Sequence, residues 1–171
     1  MNYTDETWPR GYALFFSATS KGEEYAEGVT LMTYMRFSEV EKWAHTYNTV
    51  SNEVSRGEDY EAFKKEKSEK LFDLVEEKFP GFKESIQSYY AATPLSMRDY
   101  IGTDDGSLYG FVKDYREPMR TFISPRTKIP NLFLTGQNLN LHGVLGVTVS
   151  AVLTCSEILG IDYIVSKIRN A

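Results

Sequence analysis

Hydrophobic positions along these 171 residues change period several times, and each change marks an element. Residues 11–19 (GYALFFSAT) are a compact apolar and aromatic run, which predicts a strand. Residues 29–36 (VTLMTYMR) predict a second strand, and the polar stretch 20–28 between them suits an antiparallel pair. Ser38 with Glu41 three residues later is a capping-box pattern, so a short helix is predicted over 37–44. After a polar loop over 48–59 the period is helical again. Tyr60, Phe63, Leu71, Leu74 and Val75 share one face, with a solvated mixture of Lys and Glu opposite. Pro80-Gly81 stops that helix, and 82–90 predicts one more short helix. Residues 91–110, punctuated by Pro94, Gly102, Gly106 and Gly110, read as loop and turn with at most one short strand, too polar for the core. Residues 113–128 are charged and irregular.

From 129 to 156 the chain reads IPNLFLTGQNLNLHGVLGVTVSAVLTCS, without a charged side chain. The run breaks at Gly136-Gln137-Asn138 and restarts at Gly143. This predicts a strand over 131–135 covered on both faces, a polar turn, and a buried helix over 143–159, with a last helix over 162–168. A turn of this kind can present the unpaired amides of a helix start, and its partial positive charge, to a pyrophosphate or a flavin edge. Gln137, Asn138, Asn140 and His142 add uncharged hydrogen-bonding groups. The spacing is equally that of a structural helix whose glycines permit close packing. It is neither G-x-G-x-x-G nor a P-loop, and no dinucleotide fingerprint precedes it.

Composition narrows the class. Hydrophobic residues at 42% and charged residues at 25% are ordinary for a globular chain that buries roughly 70% of its unfolded surface. A net charge of -5 argues against nucleic acid as a partner. The single Cys155, inside the apolar helix, forms no internal disulfide and reads as inert in a reducing compartment. Two His and one Cys make no zinc site, so no metal is expected. His45 reads as a surface residue, and Arg98-Asp99 as either an ion pair near a ligand or a loop pair worth little. No secretory signal or window of roughly 20 apolar residues occurs. A cytoplasmic location is expected. No Ser-His-Asp or paired-carboxylate arrangement stands out, so hydrolytic chemistry has little support.

Two stretches carry a resemblance. Pro130-Asn131-Leu132-Phe133-Leu134-Thr135-Gly136-Gln137, then Gly143-Val144-Leu145-Gly146, resembles the C-terminal flavin-binding segment of the phytoene desaturase, carotenoid isomerase and retinol saturase superfamily. Thr93-Pro94-Leu95-Ser96-Met97-Arg98-Asp99-Tyr100, then Gly102-Thr103 and Gly106-Ser107-Leu108-Tyr109-Gly110, is similar to a second motif of the retinol saturase branch. The resemblance implies an α/β fold with α+β character: the C-terminal part of a glutathione-reductase-type FAD-binding fold, a mixed sheet with helices, lacking the N-terminal Rossmann half. Residues 1–128 would be substrate-domain material, and 129–171 the closing strand and helix of the FAD domain. The implied function is saturation, desaturation or isomerisation of a retinoid or carotenoid by an FAD enzyme, of which this chain alone is inactive and binds FAD weakly or not at all. The alternative is a non-catalytic module that binds an apolar ligand or self-associates.

The resemblance also implies the contacts. FAD would be met by Gly136, Gln137, Asn138, Gly143, Val144, Leu145, Gly146 and Val147. Thr93, Pro94, Arg98, Tyr109 and His142 would lie on the substrate side, and no catalytic side chain is singled out. The implied partners are the N-terminal FAD-binding half and an apolar polyene, with a homodimer and peripheral membrane contact as further expectations.

Overall fold

A computed structural model describes residues 3–17 and 25–170. They divide into two compact units, the first ending at Gly106 and the second starting at Ser107, upstream of the boundary expected at 128.

In the first unit, β1 (Ala13–Phe16) and β2 (Val29–Met32) pair antiparallel, Ala13 opposite Met32 and Phe16 opposite Val29. Both are shorter than their apolar runs, and residues 18–24, including the expected strand end at Thr19, lie outside the described residues. The predicted short helix is two successive 3₁₀ turns, Phe37–Glu39 and Glu41–Trp43. The first follows Arg36, so the Ser38/Glu41 pattern does not cap it.

Helix α1 (Glu58–Glu76) follows Gly57, which takes a φ of 93°. Glu58, Asp59 and Glu61 in its first turn complement the partial positive charge there. Its apolar face supplies Tyr60, and Trp43, Val40 and Leu95 complete the core, with Met35, Phe37, Ala44 and Phe63 against it. The Trp43 ring meets Tyr60 edge-on at 5.1 Å. The opposite face is not uniformly solvated: Lys67 pairs with Glu39 at 2.7 Å, both side chains mostly buried.

Three expectations change in this unit. Residues 82–90 hold only a 3₁₀ turn, Lys83–Ser85. The segment 91–110 is not all loop: α2 (Pro94–Ile101) lies inside it. Nor is it too polar for the core, since Leu95 is fully buried. Local chemistry explains the helix. Thr93 caps it by accepting the Leu95 amide at 3.2 Å, Pro94 occupies the first turn, and Gly102 closes it in the left-handed region.

The second unit contains α3 (Gly143–Leu159) and α4 (Ile161–Arg169). The helix ends at 143 and 159 match the sequence reading. The strand over 131–135 does not form. Asn131 turns at a φ of 61°, and Phe133 makes only an isolated bridge to Arg126. A strand needs a continuous ladder for its backbone groups, and among the described residues this segment has instead isolated bonds around that bridge, Leu134 donating to the Pro125 carbonyl at 2.8 Å and Leu132 accepting from the Thr127 amide at 3.4 Å, and a side-chain bond from Thr154 to the Leu134 carbonyl at 2.9 Å. Leu132 and Leu134 are exposed, so it is not covered on both faces. The α3 helix is not buried all round either: Val144 is 90% and Leu145 78% exposed, and Cys155 is exposed rather than enclosed. No helix among the described residues is long and apolar enough to cross a membrane.

Candidate functional site

The turn before α3 is held by side-chain amides and one ammonium. Asn140 grips Ile123 twice, accepting its N–H at 3.0 Å and donating to its carbonyl at 2.9 Å. The Lys113 ammonium donates to the Thr121 carbonyl at 2.9 Å and also to that of Leu139. Leu139 is the buried apolar anchor of the turn, and its N–H donates to Gly136 at 3.3 Å. Asn140 is one of the turn amides apparent in sequence; nothing in the charged 113–128 stretch signalled Lys113.

Residues 108–110 lie against this turn. A Cβ on Gly110 would stand 2.8 Å from the Asn138 Cα and closer still to the Gln137 carbonyl oxygen, so only glycine permits the approach. The Tyr109 ring lies 4.4 Å from His142, tilted by 38°. Gln137 donates from Nε2 to the Leu108 carbonyl at 3.4 Å. The Tyr109-Gly110 end of one motif and the Gly136-to-His142 turn of the other therefore meet within one unit, although they are distant in sequence.

At the start of α3, His142 occupies the cap position but its side chain accepts no cap bond. The amides of Gly143, Val144 and Leu145 precede the hydrogen-bond ladder, whereas those of Gly146 and Val147 fall inside it. The two glycines differ. Gly143, at a φ of 75°, has open space beside it, while a Cβ on Gly146 would lie 2.7 Å from Leu141. Gly146 thus serves packing, and Gly143 leaves the helix start accessible.

Thr93, Pro94 and Arg98 belong to the first unit. Thr93 is buried, shares a 2.8 Å hydrogen bond with the Tyr60 hydroxyl, and caps α2. A Cβ on Gly106 would lie 2.8 Å from the Pro94 Cα. Arg98 donates to the Ala44 carbonyl at 2.7 Å and to the Asp99 carboxylate at 2.7 Å. These three side chains build the fold of their unit. Asp99 was legible only as one half of a dipeptide, yet it is fully enclosed and bonds Arg56, Arg98 and the Asn48 amide.

The clearest titration shifts lie elsewhere in the first unit. Burial and a hydrogen bond to Glu39 push the Tyr3 hydroxyl up to about 12. For Glu39, burial acts to raise the carboxyl, but the bonds from Lys67 and Tyr3 outweigh it and hold the group below its ordinary value.

Similarity to curated proteins extends over most of the chain. An all-trans-retinol 13,14-reductase of Danio rerio is 28% identical over 158 residues, 91% of this chain and 23% of the relative. Its human counterpart is 33% identical over 107 residues, 61% and 18% respectively. The chain is similar to all-trans-retinol 13,14-reductases. A third relative, an inactive all-trans-retinol 13,14-reductase of Danio rerio, is 30% identical over 120 residues, 69% of this chain and 20% of the relative. The chain spans less than a quarter of the length of these reductases. No protein-family model matches it, and no solved structure does.

Proposed function

We propose that this chain supplies the C-terminal part of an FAD-dependent oxidoreductase that reduces a double bond of a retinoid polyene. The observation that carries the reading is the meeting of Tyr109-Gly110 with the 136–142 turn at the open start of α3. It joins segments of both motifs in a chain similar over 91% of its length to a retinol reductase.

The residues at that end fit a flavin in part. The Gly143, Val144 and Leu145 amides, with no side-chain cap in front of them, suit an anionic or electron-rich edge. Asn138, exposed beside them, offers an uncharged amide for a hydroxyl. Gly146 and Val147 contribute through packing and the helix ladder rather than direct donation. The flavin, when bound, supplies two-electron transfer, and the protein supplies orientation and a dry surface. Tyr109 and His142 present adjoining rings, suited to the flat face of a polyene. The chain spans 23% of the Danio rerio reductase, and the proposed activity needs the remaining length, with the exposed residues Val144 and Leu145 of α3 facing it.

The test combines the purified chain with a Danio rerio reductase segment lacking its last quarter, then adds FAD, dithionite and all-trans-retinol. Flavin co-eluting with both polypeptides and formation of dihydroretinol are expected. Tight stoichiometric FAD binding by this chain alone would sink the proposal, as would absence of flavin retention by the mixture. The inactive Danio rerio relative favours a second reading, a non-catalytic apolar-ligand or self-associating module. Flavin retention without dihydroretinol would select it.

A further inference from the structure

The β1–β2 hairpin has one edge beside a cleft. The Ser17 N–H donates to the Gly28 carbonyl at 3.3 Å, and bonded pairs alternate along an antiparallel ladder. Phe15 opposite Thr30 and Ala13 opposite Met32 are therefore bonded pairs, and the backbone N–H and C=O groups of Leu14 and Phe16 point away from β2. Among the described residues nothing bonds those groups. Edge strands are commonly guarded by charges or proline, and residues 12–17 (YALFFS) contain neither. Phe15 is 53% and Phe16 65% exposed. A cleft of about 430 Å³ flanks the same strand. Gly11, Tyr12 and Leu14 line it on one side, Leu74 and Phe79 at the end of α1 on the other, and no residue of β2 takes part. The Tyr12 hydroxyl donates to the Leu74 carbonyl at 3.3 Å, which ties the approach to β1 to that helix end.

We propose that this edge and cleft take up an extended segment of the rest of the reductase, which adds a third strand beside β1. For the source of the segment the inference rests on the function proposed above; its chemistry follows from the edge itself. Donors and acceptors recurring at every second residue match extended backbone. Side chains at alternate positions of that segment lie over Leu14, Leu74 and Phe79, where apolar residues lose contact with water. A sheet of two four-residue strands is marginal by itself, and a third strand supplies the bonds its edge lacks. The stretch matched to the Danio rerio reductase is 91% of this chain, too much to leave out β2 or α1, yet only 23% of that protein, so most of its length is left to provide the segment.

The test screens overlapping short peptides, drawn from the Danio rerio reductase outside the matched 23%, against the full chain. At least one peptide with alternating apolar residues is expected to bind and to slow exchange of the Leu14 and Phe16 amides at least about tenfold. N-methylating one alternate set of its amides should weaken binding about tenfold, and methylating the other set should not. These arms need no altered protein. Among variants with an unchanged urea midpoint, Phe16→Pro, which removes an outward N–H of β1, should weaken binding about tenfold, and Val29→Pro, which removes one on the far edge of β2, should leave it unchanged. The proposal is overturned if no peptide binds, if binding leaves those two amides unprotected, or if both methylated sets lose equally. Unaltered affinity in Phe16→Pro or loss of binding in Val29→Pro would also overturn it. So would a peptide of residues 11–17 of this chain binding as tightly as any from the reductase, which would give the edge to a second copy. FAD is absent throughout. Peptide binding without flavin retention in the reconstituted mixture strikes the flavin-dependent reading alone, and flavin retention without peptide binding strikes this one alone.

Discussion

Arg56 and Asp99 form an ion pair almost entirely removed from water, with side chains 5% and 0% exposed. The pair is the hub of a larger arrangement. Asp99 also accepts from the Asn48 amide at 2.8 Å and from Arg98, while its own carbonyl accepts the Tyr47 hydroxyl at 2.8 Å. Arg56 reaches the Thr46 hydroxyl at 2.9 Å. One carboxylate thereby pins the loop between Ala44 and Arg56 onto α2. Replacing it strands two guanidinium groups with little access to solvent. Asp99→Ala is expected to cost the first unit about 3–5 kcal/mol, since breaking a buried pair leaves uncompensated charge. Urea unfolding followed by the fluorescence of buried Trp8 and Trp43 measures it. A loss below about 1 kcal/mol would show that the network does not hold the loop.

Gly110 makes a sharper local test. Any Cβ there overlaps the Gln137 carbonyl, so Gly110→Ala must move the 136–142 turn away from residues 108–110. A cost of about 1–3 kcal/mol to the second unit is expected, as for other overpacked sites. Faster amide hydrogen exchange over 108–142 reads it out. Gly11→Ala, with open space around it, should change stability by less than about 0.5 kcal/mol. Equal effects from the two substitutions would contradict the close approach.

Glu39 sets an acid limit. Its folded carboxyl titrates below the ordinary value of 4.5, so in acid the unfolded chain takes up the proton first. Stability present above pH 4.5 is lost as pH falls below it. Glu76, lowered by the Lys83 and Gly81 amides, acts in the same direction. Tyr3 sets the opposite limit: its contribution is complete below pH 10 and fades as pH rises towards 12. Urea midpoints across pH 3 to 7 should fall more shallowly in Glu39→Gln than in the parent chain; superimposable curves would remove Glu39 from the account.

The apolar surface of α3 has a solution consequence. Val144, Leu145, Ile158 and Leu159 are all more than half exposed. Surface of this kind on a soluble chain promotes association. Size exclusion is expected to give a concentration-dependent elution volume for the parent chain, and a single monomeric peak for the double variant Val144→Lys, Leu145→Lys. A parent chain that stays monomeric at high concentration would rule out self-association through this face.

Long periodic segments were legible from the residues alone. The apolar stripe of α1 from Tyr60 to Val75, its stop near Pro80-Gly81, and both ends of α3 follow from local spacing and punctuation, because a helix closes its bonds within a few residues. The short helix α2 was missed although Thr93, Pro94 and Gly102 carry its start and stop signals. Eight residues are too few to show a period against a background of loop residues. In the candidate site, the turn amides and the open helix start were apparent in sequence. The contact of Gly110 with Asn138 was not, because nothing local dictates that two distant turns approach.

The sequence by itself determined where the long helices α1 and α3 lie and which residues are apolar, since both are properties of neighbours along the chain. Tertiary structure decided that Asp99, a charge in a stretch that reads as loop, is enclosed, because its partner Arg56 lies 43 positions away. It also decided that residues 131–135 form no strand, because a strand depends on backbone partners that no local pattern supplies. For α3 the hydrophobic pattern called for burial, and the fold leaves Val144 and Leu145 in solvent. Hydrophobicity states that a surface gains by being covered; only the arrangement of the rest of the molecule determines whether anything covers it.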